Sequence, residues 1–318
     1  MQSPEPTIAA DPPVLGGRYT VEQYLDKGGT SNVFLGRDLT SNERVVIKVL
    51  SEEATRSAIL RTHFVVGSRA ALVVDHPNVV RMLDVREPEP GVPYLVMEAL
   101  DGELLADLLA RLGTLPPDSV REIARQVASG LEALHEAGIT HCDIKPENLF
   151  VLGELEQEPV IKILDFGLAA VAGYQGPEEA LEVRGTAQYM APEQALGDHV
   201  DARTDVYALG VVMFRALTGH LPFDLKLSAT LLRHQIFSPA PPPSWLVDDL
   251  DSGLERVVLK AMRKKPANRY ASAQDLARDL ELLALALEPL AETEPAEPDI
   301  YVPQTDRAED AARVLGRL

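Results

Sequence analysis

Hydrophobic and polar positions change period once along this chain, and the change divides it in two. From Arg18 to Glu98 the pattern is strand-like, in short runs rich in aromatic and β-branched residues, Tyr19-Thr20-Val21-Glu22-Gln23-Tyr24-Leu25, Asn32-Val33-Phe34-Leu35-Gly36, Glu43 to Leu50 and Tyr94 to Glu98. Short runs of such residues predict strands. Ala58 to Val74 interrupts them with helical spacing and ends before His76-Pro77-Asn78. From about Glu103 the helical period takes over. Ser119 to Ala137 places Val120, Ile123, Ala124, Val127, Leu131 and Leu134 on one face, with Ser119 as the expected cap and Glu122 completing a capping box. Further helices are expected over Thr204 to Leu217, Leu254 to Arg263 and Ser272 to Leu287. The pattern predicts a small β-rich lobe with one main helix, followed by a larger helical lobe. There is no internal repeat.

The ends lack such periodicity. Residues 1–17 are Pro-rich and read as a disordered tail. Residues 288–318 turn to Glu, Pro and Thr, a linker composition, with Asp306 to Leu318 as a candidate short amphipathic helix. The formal charge of −19 opposes nonspecific binding to nucleic acid or an anionic membrane surface. Part of it lies in the ends, where residues 288–318 carry eight acids against three arginines. Cys142 is the one cysteine, which excludes an intramolecular disulfide and a cysteine-rich metal site. No apolar run is long enough to span a bilayer, and the N-terminus lacks the regions of a secretory signal. The expected location is cytoplasmic, with no nucleic-acid or membrane partner.

Short words in the second half carry the chemistry. His141-Cys142-Asp143-Ile144-Lys145-Pro146-Glu147-Asn148 is followed by Asp165-Phe166-Gly167, and then by Ala191-Pro192-Glu193. In this order and at these separations they resemble the catalytic loop, metal-binding loop and activation-segment end of a protein kinase, in particular the bacterial eukaryotic-like Ser/Thr class. The resemblance covers roughly residues 18–287. It implies the two-lobed kinase fold, of class α+β, with a small lobe over 18–97, a hinge over 98–102 and a large lobe over 103–287.

The resemblance also assigns roles. Asp143 would be the base or orienter of the attacking hydroxyl, and Lys145 the contact to the transferring phosphate. Thr186 would link the two. Lys48, at the end of Val45-Val46-Ile47-Lys48, would hold the α- and β-phosphates of ATP. Asn148 and Asp165 would bind Mg²⁺ (or Mn²⁺), a hard cation suited to carboxamide and carboxylate oxygens. Leu25, Gly28, Gly29, Val33, Val46, Met97, Glu98, Leu100 and Phe150 would line the nucleotide cleft. Gly185 to Glu193 would face a protein substrate, Glu193 would pair with Arg269, and Asp205 would brace the catalytic loop from below. A small-metabolite kinase is disfavoured by Lys145 and by this substrate-facing segment.

Four departures from the family pattern bear on activity. Asp26 and Ser31 occupy the first and third positions of the glycine-rich loop, and Asp26 sets an anion near the triphosphate. The helix glutamate expected to pair Lys48 is Gly67, with no acid between Ala54 and Val74, leaving Asp165 as an alternative partner. Val46 stands where a small alanine covers the adenine. Cys142 replaces the arginine that grips a phosphorylated loop, and Leu168 to Gly185 holds Tyr174 but no serine or threonine. Loop phosphorylation is therefore not expected to act as a switch. Two readings stay open: an active Ser/Thr protein kinase, and a pseudokinase or scaffold that binds nucleotide with little turnover. Between them lies a kinase activated by a protein partner at the apolar Gly67 helix.

Overall fold

The computed structural model describes residues 14–28, 30–155, 157–166, 169–171, 187–225, 228–291, 299 and 301. Six strands form the first sheet: β1 (Val14–Leu15), β2 (Tyr19–Lys27), β3 (Ser31–Asp38), β4 (Arg44–Leu50), β5 (Met82–Arg86) and β6 (Tyr94–Glu98). They are antiparallel, in the order β1-β2-β3-β4-β6-β5. The pleat sends successive side chains to opposite faces, and both faces of the central strands are covered. Tyr19, Val21, Val45, Ile47, Tyr94 and Val96 bury together in a core of their own. Leu50, Met82, Val85 and Leu95 join the main core instead, with Phe64 and Val65 of the adjoining helix.

Two helices follow β4, the one-turn α1 (Glu52–Thr55) and the longer α2 (Ala58–Ala71). The Ser57 hydroxyl caps α2 by accepting from Leu60 N–H at 3.4 Å. α2 stops at Ala71, short of the expected Val74, because the chain turns there with Val74 N–H bonded to the Ala71 carbonyl. Phe64, Val65 and Ala71 point inward, whereas Leu72 and Val73 beyond the helix are exposed.

The second lobe contains β7 (Gly102–Leu104), α3 (Leu105–Leu112), α4 (Pro117–Glu136), β8 (Ile139–Thr140), β9 (Leu149–Leu152), β10 (Val160–Ile163), β11 (Ala170–Val171), α5 (Pro192–Leu196), α6 (Ala202–Thr218), α7 (Ser228–Phe237), α8 (Ser252–Ala261) and α9 (Ala273–Ala284). Small antiparallel sheets, β10-β9-β7 and β11-β8, lie at the junction of the lobes. α6 is buried along almost its whole length, which is why its sequence shows no polar face. α4 corrects the expected capping. It begins at Pro117 after Pro116, and no side chain caps it. Proline fits the first turn because its missing N–H would be unpaired there anyway. Ser119 thus falls inside the helix, and Glu122 bonds Arg125 and Gln126 rather than closing a box.

Composition reads everything after residue 287 as a tail, yet its described residues pack onto the large lobe. Leu290 N–H donates to Asp279 Oδ1 at 2.7 Å, and Ala291 is buried in the main core. Asp299 accepts from the N–H groups of Lys264 and Lys265 at 2.9 and 3.0 Å. Tyr301 is 4 % exposed and clusters with Met190, Ala195, Leu232 and Ile236, while its hydroxyl donates to Asp198 Oδ2 at 2.7 Å. Residues 1–13 and the candidate helix from Asp306 to Leu318 lie outside the described residues. No helix among the described residues is long and apolar enough to cross a membrane.

Candidate active site

The loop between β8 and β9 carries Asp143, Lys145 and Asn148, and a pair of anchors holds it from either side. From below, Asp205 in the first turn of α6 accepts from His141 N–H and Cys142 N–H, each at 2.8 Å, and pairs with His135 Nε2 of α4 at 2.8 Å. Two successive amides reach one carboxylate because Cys142 takes the left-handed conformation, φ 65°. From within, His141 Nδ1 accepts from Asp143 N–H at 3.2 Å, so its Nε2 carries the proton and donates to the Leu164 carbonyl at 2.8 Å. Phe166 packs edge-to-face on the His141 ring and is itself buried.

These anchors bring the polar side chains together. Lys145 Nζ lies 2.8 Å from Asp143 Oδ2, and Asn148 Nδ2 donates to the same oxygen at 2.9 Å and to the Asp143 carbonyl at 2.7 Å. Both contacts fall on Oδ2. Leu164 N–H bonds the Asn148 carbonyl at 2.8 Å, which ties the strand leading to Asp165 directly to the loop. Lys48 Nζ meets Asp165 Oδ2 at 2.6 Å, so the lysine without a helix glutamate finds its carboxylate here. Asp165 itself is left-handed, φ 62°, a conformation that Asp tolerates better than most residues.

Gly67 explains why α2 can sit so close. A Cβ built on it would lie 2.4 Å from the Phe166 carbonyl oxygen and 3.4 Å from Ala169 Cβ. Only glycine allows this approach without displacing one of the two backbones.

The candidate nucleotide cleft lies between the sheets. Register sets Val33 opposite Lys48, and Val46 between Leu35 and Met97. Phe150 in β9 faces Leu104 and Lys162. Leu25 is exposed on β2, while Met97 and Leu100 pack against the core with partial exposure. Gly28 N–H closes a turn on the Ser31 carbonyl at 2.8 Å, and the Asp26 carboxylate accepts from Lys27 N–H at 2.7 Å. The Glu98 side chain is occupied elsewhere, accepting from Lys162 Nζ at 2.7 Å and Arg81 N–H at 2.8 Å. That leaves its backbone carbonyl as the group able to serve a ligand. Gly29 and Thr186 lie outside the described residues, as does most of 168–185.

Glu193 and Arg269 form the expected buried pair, with Oε1 and Oε2 at 2.7 and 2.8 Å from the two terminal nitrogens. Thr204 Oγ1 adds 2.9 Å, and Arg269 also donates to the carbonyls of Arg203, Arg263 and Lys264. A bidentate pair with its remaining donors satisfied is the arrangement in which buried charge is tolerated. Burial pushes the Cys142 thiol up, well above the usual thiol range, helped by nearby Asp205, so the thiol is not a poised nucleophile. Two contributors escaped the sequence reading. Gln194 Nε2 donates to the Cys142 carbonyl at 2.6 Å, and His135 joins Asp205 from α4. Neither belongs to a recognisable word, and each meets its partner across a long sequence separation.

Comparison with known proteins agrees with this geometry. The protein kinase domain model matches residues 19–279. Serine/threonine-protein kinase Pkn1 of Myxococcus xanthus is 41% identical over 273 residues, covering 84% of this chain and 39% of that protein. PknB of Mycobacterium leprae is 37% identical over 273 residues, covering 85% and 43%. The chain thus spans about four-tenths of the length of these curated relatives. The solved PknI kinase domain of Mycobacterium tuberculosis superposes with a TM-score of 0.66 at 25% identity, covering 84% of this chain and 97% of that one. The fold, the spacing of the loop residues and these matches converge: this chain belongs to the protein kinase domain family.

Proposed function

We propose that the chain is an ATP- and Mg²⁺-dependent (or Mn²⁺-dependent) Ser/Thr protein kinase that transfers the γ-phosphoryl group to a protein hydroxyl. The observation that carries this reading is the state of Asp143. Lys145 and Asn148 both engage its Oδ2, and Oδ1 has no partner among the described residues. A carboxylate held through one oxygen can orient an incoming hydroxyl and take its proton with the other. Lys145 then stands beside the transferring group, where a cation offsets charge that spreads over the equatorial oxygens.

The residues present suit the metal. Asn148 spends its amide NH₂ on Asp143, its Oδ1 accepts from no group among the described residues, and Asp165 supplies a carboxylate tied through Leu164 to the same loop. Two protein ligands with phosphate and water completing the shell match the way Mg²⁺ is held. Asn148 and Asp165 would hold the metal beside the phosphates, where it would supply positive charge to offset the charge that develops on transfer. Leu25, Gly28, Gly29, Val33, Val46, Met97, Glu98, Leu100 and Phe150 enclose the nucleotide in this reading, and Lys48 serves the α- and β-phosphates. Loop phosphorylation does not switch the enzyme, because Cys142 offers no cation at the position of the usual arginine.

A second reading is favoured by the Lys48–Asp165 pair: a nucleotide-binding scaffold, or a kinase set in action by a protein partner at α2. The lysine and the metal carboxylate engage one another, and Leu72 and Val73 leave apolar surface at the end of the helix. Transfer of radiolabelled γ-phosphate to a basic acceptor protein, with wild type beside Asp143→Asn, separates the readings. The kinase reading expects label that falls at least 100-fold in the variant. Its absence from wild type, with a thermal shift on adding ATP·Mg²⁺, leaves the scaffold.

A further inference from the structure

Gln235 of α7 is fully buried, and both ends of its amide are engaged. Its Oε1 accepts from the Tyr207 hydroxyl at 2.5 Å. Its Nε2 donates to the carbonyl oxygen of Gln188 at 2.5 Å and of Ala187 at 3.4 Å. These two carbonyls belong to the segment that leads into Ala191-Pro192-Glu193. Tyr207, fully buried in α6, in turn accepts from Lys264 Nζ at 2.8 Å. Lys264 lies 4.7 Å from the Phe223 ring centroid, and the Arg269 guanidinium stacks 4.9 Å over the Tyr207 ring. A polar relay therefore runs from Lys264 through Tyr207 and Gln235 to the main chain of residues 187 and 188.

Holding α7 in place does not require this relay. Leu232 and Ile236 already pack on Met190, Ala195 and Tyr301. A glutamine brought to zero exposure costs desolvation, and a fully satisfied network confers direction more than strength. The direction here is unusual in one respect: the target is backbone, so the bond holds whichever side chains occupy 187 and 188. What it fixes is the path of the chain beside Asp143, since Gln194, just beyond, donates to the carbonyl of Cys142.

We propose that Gln235, oriented by Tyr207 and Lys264, is a positioning residue for the acceptor-protein subsite. It sets the backbone of residues 187–188, against which the segment around the acceptor hydroxyl lies. This inference rests on the kinase reading above. It is separate from the nucleotide cleft, because the side-chain hydrogen bonds of Gln235, Tyr207 and Lys264 among the described residues run to one another and to residues 187 and 188 rather than to Lys48, Asp165 or the hinge.

The test uses the full chain, with Gln235→Met and Tyr207→Phe beside wild type, and histone as the acceptor. Initial rates are taken against acceptor at saturating ATP·Mg²⁺, and against ATP at fixed acceptor. Gln235→Met raises KM for the acceptor about tenfold, which is about 1.4 kcal/mol, while KM for ATP stays within about twofold. Tyr207→Phe keeps the glutamine but frees its orientation, and raises acceptor KM about threefold. An acceptor KM unchanged in both variants, or one that rises in step with KM for ATP, overturns the assignment. Should Gln235→Met fail to fold by circular dichroism, Tyr207→Phe decides alone by the same split. A wild type that transfers no label overturns the kinase reading along with this one, whereas an active wild type with indifferent variants overturns only this one.

Discussion

Replacing Gly67 with alanine sets two physical effects of opposite sign against each other. Helix propensity alone favours alanine by about 1 kcal/mol inside α2. Space opposes it, because the new methyl would lie 2.4 Å from the Phe166 carbonyl oxygen. Ordinary contact begins near 3.4 Å, so the helix or the Phe166 backbone must retreat by roughly 1 Å in an interior packed as densely as a crystal. Overpacking of this kind costs about 1–3 kcal/mol. The net expectation is a loss of about 1 kcal/mol, or a fall in melting temperature of about 2–4 °C. The same retreat moves Asp165, the neighbour of Phe166, away from its 2.6 Å contact with Lys48. Phosphoryl transfer then drops about tenfold, through reactant positioning. Gly67→Glu supplies the carboxylate that the family resemblance leads one to expect in this helix, yet it brings more bulk to the same place and falls further. Thermal denaturation together with initial-rate transfer assays checks both numbers. A Gly67→Ala protein that melts above wild type at full rate would refute the close-approach argument.

Removal of the Tyr301 ring by Tyr301→Ala takes the ring out of the cluster of Met190, Ala195, Leu232 and Ile236 and removes one donor from Asp198. The expected loss is about 2–3 kcal/mol, read as a fall in the urea midpoint, and an unchanged midpoint would mean that the segment contributes no packing. Lys264 gives a pH signature. Burial, with Arg269 nearby, lowers its pKa to about 7, against roughly 10.4 in the unfolded chain. Below pH 7 both states carry the proton, and the native state bears the full burial cost. Between pH 7 and about 10 only the unfolded state binds it, so stability rises with pH. Lys264→Met removes this rise, and the change in unfolding free energy between pH 7 and pH 9 becomes smaller by at most about 2–3 kcal/mol. An unaltered slope would show that Lys264 stays protonated in the fold throughout.

Much of this architecture was legible because it depends on local pattern. β6 runs from Tyr94 to Glu98, as its short apolar run implies, and Ser272 caps α9 as a serine before an apolar period is expected to. Glu193 with Arg269, and Asp205 beneath His141, were readable as words whose partners family resemblance supplies. Other features have no local trace. β8 and β11 are two-residue strands that exist only because they pair with each other, and no period can show in two residues. Tyr301 looks like part of a charged tail until α5 and α7 provide a hollow for its ring. Gly67 read as a missing glutamate. Its positive meaning, a bare backbone surface against the Phe166 carbonyl, depends on an element one hundred residues away. The cap assigned to Ser119 failed because Pro116-Pro117 starts the helix earlier, and a proline at the first position competes well with a serine two residues later.

The Asp205 carboxylate has a consequence for how opening is distributed over the molecule. Its acceptors hold the amides of His141 and Cys142 against α6, a helix buried along nearly its whole length, and His135 fastens α4 to the same point. Those two amide hydrogens exchange with solvent deuterium only when the large lobe itself comes apart, since breaking them locally would leave the buried Asp205 carboxylate with His135 alone. Amides of α2, which meets the rest of the chain through one glycine surface, a few apolar side chains and the half-exposed pairing of Arg61 and Arg69 with Glu87, exchange through smaller openings. The floor under Asp143 is thus among the last parts of the protein to let go, and the freedom that turnover requires is left to the wall opposite it.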